Sequence, residues 1–287
     1  MQSPFLEKFF LTLPALADYH APEGTLSDLL KITARQEVER LFSARRKRSV
    51  LLKPFGGVIF PYHPMGNVDS RNLFDFDELI MFSFYWLNRH RYHRVADLGA
   101  NIGLHSLLLD RCGFRVRAYE PDPKHFAILK RNLQLNRCSQ VKPFNYAISN
   151  RSGKAEFIRV LGNTTGNHLA GAKASPYGTL ERISVEIKPI QPILRWADLL
   201  KIDVEGHEKE ILLATNRSDW LQADALVEIG NEANARSIFR HFQKHRVNLF
   251  AQKINWQPVR KKTQMPTGYK DGSLFVSCKR RMPWHEE

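Results

Sequence analysis

From residue 94 onward, short apolar runs alternate with longer amphipathic stretches, and this alternation narrows the fold more than any other feature. A chain that reads strand, helix, strand, helix buries its apolar faces by winding crossover helices over a parallel sheet. Residues 94–97, 115–119, 141–147, 199–203 and 223–228 read as strands, and 103–111, 123–136, 205–214 and 231–244 as helices. Two more strand-like runs, 247–253 and 272–278, are joined by a polar segment without helical period, so an antiparallel hairpin is expected to close the sheet. The fold expected is α/β: a Rossmann-like, seven-stranded, mostly parallel sheet. A dinucleotide-binding sheet, by contrast, stays parallel.

The N-terminal third has a different pattern. Residues 25–42 carry apolar side chains at helical spacing, with Ser27 as the expected cap, and 75–88 form a second helical stretch. Between them, the Gly and Pro residues of 50–67 suggest a hairpin or loop. Residues 1–90 are thus expected to be a mainly helical extension and 91–287 the main domain, a division that 287 residues can support. The apolar run 9–17 ends on small residues, but it is short, contains Pro14 and follows Glu7 and Lys8, so it reads poorly as a cleaved signal. No stretch approaches the ~20 apolar residues of a membrane span. Three scattered cysteines without a CxxC spacing point to neither a disulfide framework nor a zinc site. A cytoplasmic protein is expected, with peripheral contact at the inner face of the membrane left open. The net charge of +14 favours an acidic partner without choosing among phosphate, nucleic acid, an anionic sugar or a membrane surface.

Chemistry concentrates where the first two core strands end. Residues 96–103 read ADLGANIG: a strand reaching Asp97, then a turn through Gly99 and Gly103 into a helix. Such a turn presents backbone N–H groups to a ligand at the carboxyl edge of the sheet. The GxGxxG fingerprint fails, because Asn101 and Leu104 stand where its second and third glycines would be. A pyrophosphate is therefore disfavoured, whereas S-adenosylmethionine (SAM), which has no phosphate, is compatible with a side chain at Asn101. The next strand ends in AYEPD, placing Glu120 where a carboxylate can accept from both ribose hydroxyls; it could equally cap the helix opened by Pro121–Pro123.

DLGANIGLHS, AYEPDPKHFAILKRNLQLN and LLKIDVEGHEKEIL resemble successive blocks of the FkbM family of class I SAM-dependent methyltransferases, which methylate hydroxyls of natural products and glycans. The resemblance spans roughly residues 94–228, is most specific at KIDVEGHE, and leaves 1–93 largely outside. It implies the class I methyltransferase sheet, SAM as cofactor and S-adenosylhomocysteine as product. The cofactor residues it implies are Asp97, Gly99, Ala100, Asn101, Gly103, Glu120, Pro121, Ala147 and Asp203.

Methyl transfer to an alcohol needs in-line placement and a base. Asp203, Glu205 and Glu228 lie where the fourth and fifth core strands end, and are candidates; Asp203 could instead cap the following helix. Glu208 shares the first helical turn with Glu205 and suits the helix dipole there. Lys201, inside an apolar strand, needs a carboxylate, with Glu228 the expected partner. His168, in the glycine-rich loop 161–171, is a further candidate base or an ordinary loop residue. No metal-ligand spacing is present, and metal-independent transfer is expected.

The acceptor implied by the resemblance and the positive charge is a saccharide or small molecule, expected to be anionic; an acidic sugar such as a 3-deoxy-octulosonic acid of a bacterial surface glycan fits both. An RNA ribose hydroxyl is the second reading; basic runs at 45–48 and 260–262 suit it but read equally as solvated surface charge, and no DPPY-type tetrapeptide marks a base-amine enzyme: Asp203 is followed by Val-Glu-Gly. A non-catalytic module of a glycan-assembly protein is the third. Residues 62–76 are expected either to shape the acceptor side or to serve as a packing collar.

Overall fold

The structure, a computed structural model, describes residues 3–43, 49–173 and 178–284. The basic run 45–48 lies outside the described residues. Twelve strands build the two larger sheets among them: β1 (Arg94–Leu98), β2 (Arg115–Tyr119), β3 (Val141–Phe144), β4 (Ala147–Ser149), β5 (Gly153–Val160), β6 (His168–Leu169), β7 (Leu180–Pro189), β8 (Leu199–Ile202), β9 (Asp224–Glu228), β10 (Asn248–Ala251), β11 (Gln257–Pro258) and β12 (Ser273–Ser277).

The main sheet has the order β11-β10-β12-β9-β8-β1-β2-β3. Strands β3, β2, β1, β8 and β9 run parallel, and β12 lies antiparallel between β9 and β10. The expected parallel sheet with its antiparallel ending is present, extended to eight strands by the two-residue β11. All four residues of β8 are buried, as in a sheet covered on both faces.

The run 141–147 is not one strand. The main-sheet strand stops at Phe144, and Ala147–Ser149 enters a separate sheet of order β6-β5-β7-β4. In that sheet Ile183, Val185 and Ile187 alternate with Arg182, Ser184 and Glu186, a period of two that gives one buried face.

Helices α1 (Pro4–Thr12), α2 (Thr25–Leu41), α3 (Phe76–Leu87) and α4 (Leu104–Arg111) cover one face of the main sheet. Their buried side chains, among them Leu6, Phe10, Val38, Phe76, Ile80 and Leu107, join Val95, Leu199 and Phe275 of the sheet in one apolar cluster. The apolar run 9–17 is thereby accounted for: Phe9, Phe10, Leu13 and Ala17 are buried in that cluster. Ser3 caps α1, its Oγ accepting from Leu6 N at 3.1 Å. The cap expected for α2 is corrected: Gly24 precedes the helix, and Ser27 Oγ donates to Pro22 O at 3.0 Å. Helix α5 (Pro123–Leu135) flanks β2 and β3, while α6 (Glu208–Leu213) and α7 (Glu232–His245) cover the opposite face, where Ile211, Ile238 and Phe242 meet Ala96 and Ile202. Residues 50–67 hold short hairpin strands, Val50–Leu52 with Gly56–Val58 among them. Among the described residues no helix is long and apolar enough to cross a membrane.

Candidate active site

Parallel pairing brings the ends of β1, β2 and β8 to one edge, and the loops that follow them meet there. After Leu98, Gly99 turns at φ +79°, and both Gly99 N and Ala100 N donate to Tyr119 O at 3.0 Å. A Cβ on Gly99 would lie 1.8 Å from Asp203 O, so only glycine lets the first loop touch the end of β8. Asn101, at φ +52°, then directs its N–H to Glu120 Oε2 at 2.8 Å, and Asp122 N donates to Glu120 Oε1 at 2.8 Å.

Glu120 is only 5% exposed, and burial pushes its carboxyl up to about 8, against the pull of those two N–H groups. A carboxylate has roughly four acceptor positions. Two are filled from the backbone, which leaves capacity on the cleft side for a pair of hydroxyl donors.

A cleft opens at this edge. Of the residues selected from sequence, Gly99, Asn101, Glu120, Pro121, Ala147, Asp203 and Glu205 border it. Asp97, Ala100 and Gly103 lie behind the loop. Asp97 is fully buried and accepts from Ser106 Oγ at 2.6 Å; Ala100 packs with Ala118 and Leu129; Gly103 begins α4 at φ +91°, where a Cβ would press on Leu129.

Lys201 differs from its expected pairing. Its Nζ sits 3.1 Å from Asp203 Oδ2, 3.3 Å from Gly99 O and 3.9 Å from Asp97 Oδ1. The register explains this, since Lys201 stands directly beside Asp97 across the parallel pair, while its neighbour on β9 is Leu226 rather than Glu228. Burial alone would lower the Lys201 ammonium, but the carboxylates of Asp203 and Asp97 outweigh it and hold the proton more tightly.

The turn after β8 is tighter than the helix expected from residue 205. Glu205 adopts φ +55° and Gly206 φ +104°, and α6 starts only at Glu208. Glu208 is 1% exposed, and its Oε1 accepts from Gly206 N at 2.9 Å and Val204 N at 3.2 Å, so it braces the turn from behind. Glu205 faces the cleft with Lys173 Nζ at 2.5 Å, and burial followed by the charge of Asp203 pushes its carboxyl up to about 7. Asp203 caps no helix; the residue before α6 is His207, whose Nε2 lies 2.9 Å from Ser149 Oγ.

Two candidates stand apart from the cleft. His168 is buried in β6 with Nδ1 2.8 Å from Gly166 O, and burial lowers its tendency to protonate. Glu228 borders a different cavity, together with Glu78 and Lys31. Sequence reading missed the far wall of the cleft, where His125, Thr164 and Asn167 line it. That wall is tied down by Asp122, fully buried, which accepts from Arg159 Nε and Asn167 Nδ2, each at 2.8 Å. The polar loop 161–171 carried a signal, but Thr164, Thr165, Asn167 and Leu169 rather than His168 are its cleft residues.

With this geometry in place, the comparison with known families is decisive: the model of the methyltransferase FkbM domain matches residues 97–251. The chain belongs to the FkbM methyltransferase family. It is similar to methyltransferase sdnD of Sordaria araneosa, 30% identical over 179 residues that cover 50% of this chain and 68% of that one. It is also similar to the hexuronic acid methyltransferase AglP of Haloferax volcanii, 26% identical over 159 residues that cover 55% of this chain and 65% of the relative. A solved structure of cofactor-bound Rv0187 from MTB overlaps 69% of this chain and 79% of its own at a TM-score of 0.36 and 15% identity.

The cofactor of this FkbM methyltransferase is S-adenosylmethionine. The cleft fits it on its own terms. Glu120, Asp203 and Glu205 border the space, and no Lys or Arg does among the described residues. With Lys201 on Asp203, Lys173 on Glu205, and burial raising Glu120 and Glu205, the wall offers oxygen acceptors to ribose hydroxyls and an α-ammonium rather than a strong negative field. Among the described residues no group of His, Cys, Asp and Glu is placed to hold a metal ion.

Proposed function

We propose that this methyltransferase acts on oxygen, transferring a methyl group to a hydroxyl of a saccharide or related small acceptor, with an acidic sugar as the preferred class. The observation that carries the cofactor side of this reading is the cleft wall of three carboxylates with Glu120 buried at its ribose end. Support for the acceptor class comes from the relative named a hexuronic acid methyltransferase, together with the net charge of +14.

When bound, the cofactor supplies a methyl group on a positively charged sulfur, primed to leave for an oxygen nucleophile. The chain's residues do the rest. Glu120 accepts from the ribose hydroxyls. Asp203, held by Lys201 at 3.1 Å, and Glu205, held by Lys173 at 2.5 Å, face the cationic end and fix it electrostatically. The pairing of Ile202 with Val227 sets Asp203 beside Glu228 at the edge of the sheet, so an acceptor reaching this edge meets a carboxylate from each strand.

Methyl transfer from labelled S-adenosylmethionine to a panel of neutral and acidic sugars tests the proposal. Transfer is expected to an acidic sugar, and Asp203→Asn is expected to lower kcat about a hundredfold, the order seen when a positioned electrostatic contact is removed. Cofactor affinity should fall far less. Cofactor binding without transfer to any sugar in the panel would overturn the assignment.

A further inference from the structure

The cavity on the other side of the β8–β9 edge belongs to no assigned function. It is an open cavity of about 720 Å³, and its walls come mostly from the N-terminal segment outside the family match: Lys31 and Arg35 of α2, and Asp75, Asp77 and Glu78 at the start of α3, with Glu228 from β9. Glu228 therefore stands at the junction: it borders this cavity, while its cross-strand neighbour Asp203 borders the cofactor cleft.

Behind Glu78 lies a buried pair of side chains. His105 Nε2 is 2.9 Å from Glu78 Oε2, and His105 Nδ1 is 3.0 Å from the Tyr85 hydroxyl. Tyr85 is fully buried and His105 is 8% exposed, with the Phe82 ring 4.9 Å from the imidazole between centroids. If the tyrosine donates to Nδ1, the imidazole proton resides on Nε2 and points toward the carboxylate. The contact is 2.9 Å, and Glu78 Oε2 is buried without a formed hydrogen bond. A carboxylate in close contact with an imidazole that is itself held from behind, and facing a polar cavity, places an acid–base group beside its support. Glu228 is the weaker candidate for this role: burial, then the charges of Asp203, Glu205 and Glu78, push its carboxyl well above the usual carboxylate range.

We propose that this cavity is the acceptor site, that it takes a polyhydroxylated acceptor, and that Glu78 is the catalytic residue receiving the hydroxyl proton, with His105 and Tyr85 as positioning residues. The inference rests on the O-methyl transfer proposed above. In the step, the acceptor oxygen forms a bond to the methyl carbon as the carbon–sulfur bond breaks. The electron pair of that bond stays on sulfur, the sulfonium becomes a neutral thioether, and the hydroxyl proton passes to the Glu78 carboxylate. Lys31, Arg35 and Lys270 are outnumbered in the lining by Glu23, Asp75, Asp77, Glu78, Glu228 and Asp271, and Arg35 already pairs with Glu39 and Asp75, so the cavity holds its acceptor through hydroxyl contacts rather than through a positive field.

The test uses the full chain with methyl β-glucuronide and methyl β-glucoside as acceptors, labelled transfer as one readout and calorimetric S-adenosylmethionine binding as the other. Glu78→Gln is expected to lose at least about a hundredfold in kcat, more than Glu228→Gln, with the cofactor Kd within about twofold of the unsubstituted protein. Glu78→Asp should recover part of the loss. Tyr85→Phe, whose hydroxyl does not reach the cavity, should lower kcat while leaving the KM for the glucuronide unchanged, a split that general loosening of the core would not produce. Equal transfer by Glu78→Gln and the unsubstituted chain overturns the role of Glu78, and intact cofactor binding with no transfer to either sugar overturns the acceptor assigned to the cavity. Failure of the unsubstituted chain to bind the cofactor would instead remove the reading on which the inference rests.

Discussion

Gly99→Ala is expected to be the most damaging single-methyl change in the molecule. The new Cβ would lie 1.8 Å from Asp203 O and 2.9 Å from its carbonyl carbon, and both are backbone atoms of the loop after β8. No rotamer change relieves a backbone clash, so one of the two loops must move, and the φ of +79° adds left-handed strain for any residue with a side chain. A loss of about 4 kcal/mol or more places this change in the exceptional class of substitutions. The melting temperature should then fall by roughly 10 °C for a chain of this size. Gly113→Ala provides the comparison. Its φ of +87° is similar, but nothing lies within 4 Å of the added atom, so only the conformational term of about 1 kcal/mol remains. Thermal unfolding of the two variants separates them; equal melting temperatures would mean that β1 and β8 do not meet as described.

Lys201→Met should be nearly as costly. The lysine side chain is 5% exposed and the Asp97 side chain is fully buried, with Asp97 Oδ1 lacking a hydrogen bond of its own. Removing the ammonium leaves an uncompensated buried carboxylate, a change worth about 3–5 kcal/mol. It also frees Asp203 from the contact at 3.1 Å, so cofactor affinity should fall with stability. Adding Asp97→Asn to Lys201→Met removes the stranded charge and should restore a large part of the stability but not the position of Asp203. Denaturant unfolding of the two single variants and the double variant measures the coupling, and strict additivity would show that Lys201 and Asp97 do not interact.

Much of the cofactor side was legible because its signals are local. Gly99, Asn101 and Glu120 sit at strand ends that apolar runs locate, and parallel pairing then brings successive strand ends to one edge. The partner of Lys201 was misjudged because register is not a local property: the one-to-one pairing of Lys201 with Asp97 emerges only when β8 is docked beside β1. The second sheet went unread because β5 and β7 are rich in charged residues whose outward face obscures the buried alternate positions. The contact between Glu78 and His105 joins two helices from different parts of the chain, and helical periodicity says which residues of each are buried without saying which will touch. The same holds for Asp122 and Arg159, an ion pair between the start of α5 and the end of β5 that fixes the far wall of the cleft.

The central physical claim is that the loop after β1 and the carboxylate after β2 form the seat of an adenosyl sulfonium, and titration calorimetry addresses it most directly. S-adenosylmethionine and S-adenosylhomocysteine should both bind the unsubstituted chain. Glu120→Ala should weaken both by about ten- to a hundredfold, the equivalent of hydrogen bonds to a charged acceptor. Absence of heat with either ligand, or equal affinity in the Glu120→Ala variant, would contradict it, and tight binding of a nicotinamide dinucleotide in their place would assign the cleft to a different cofactor.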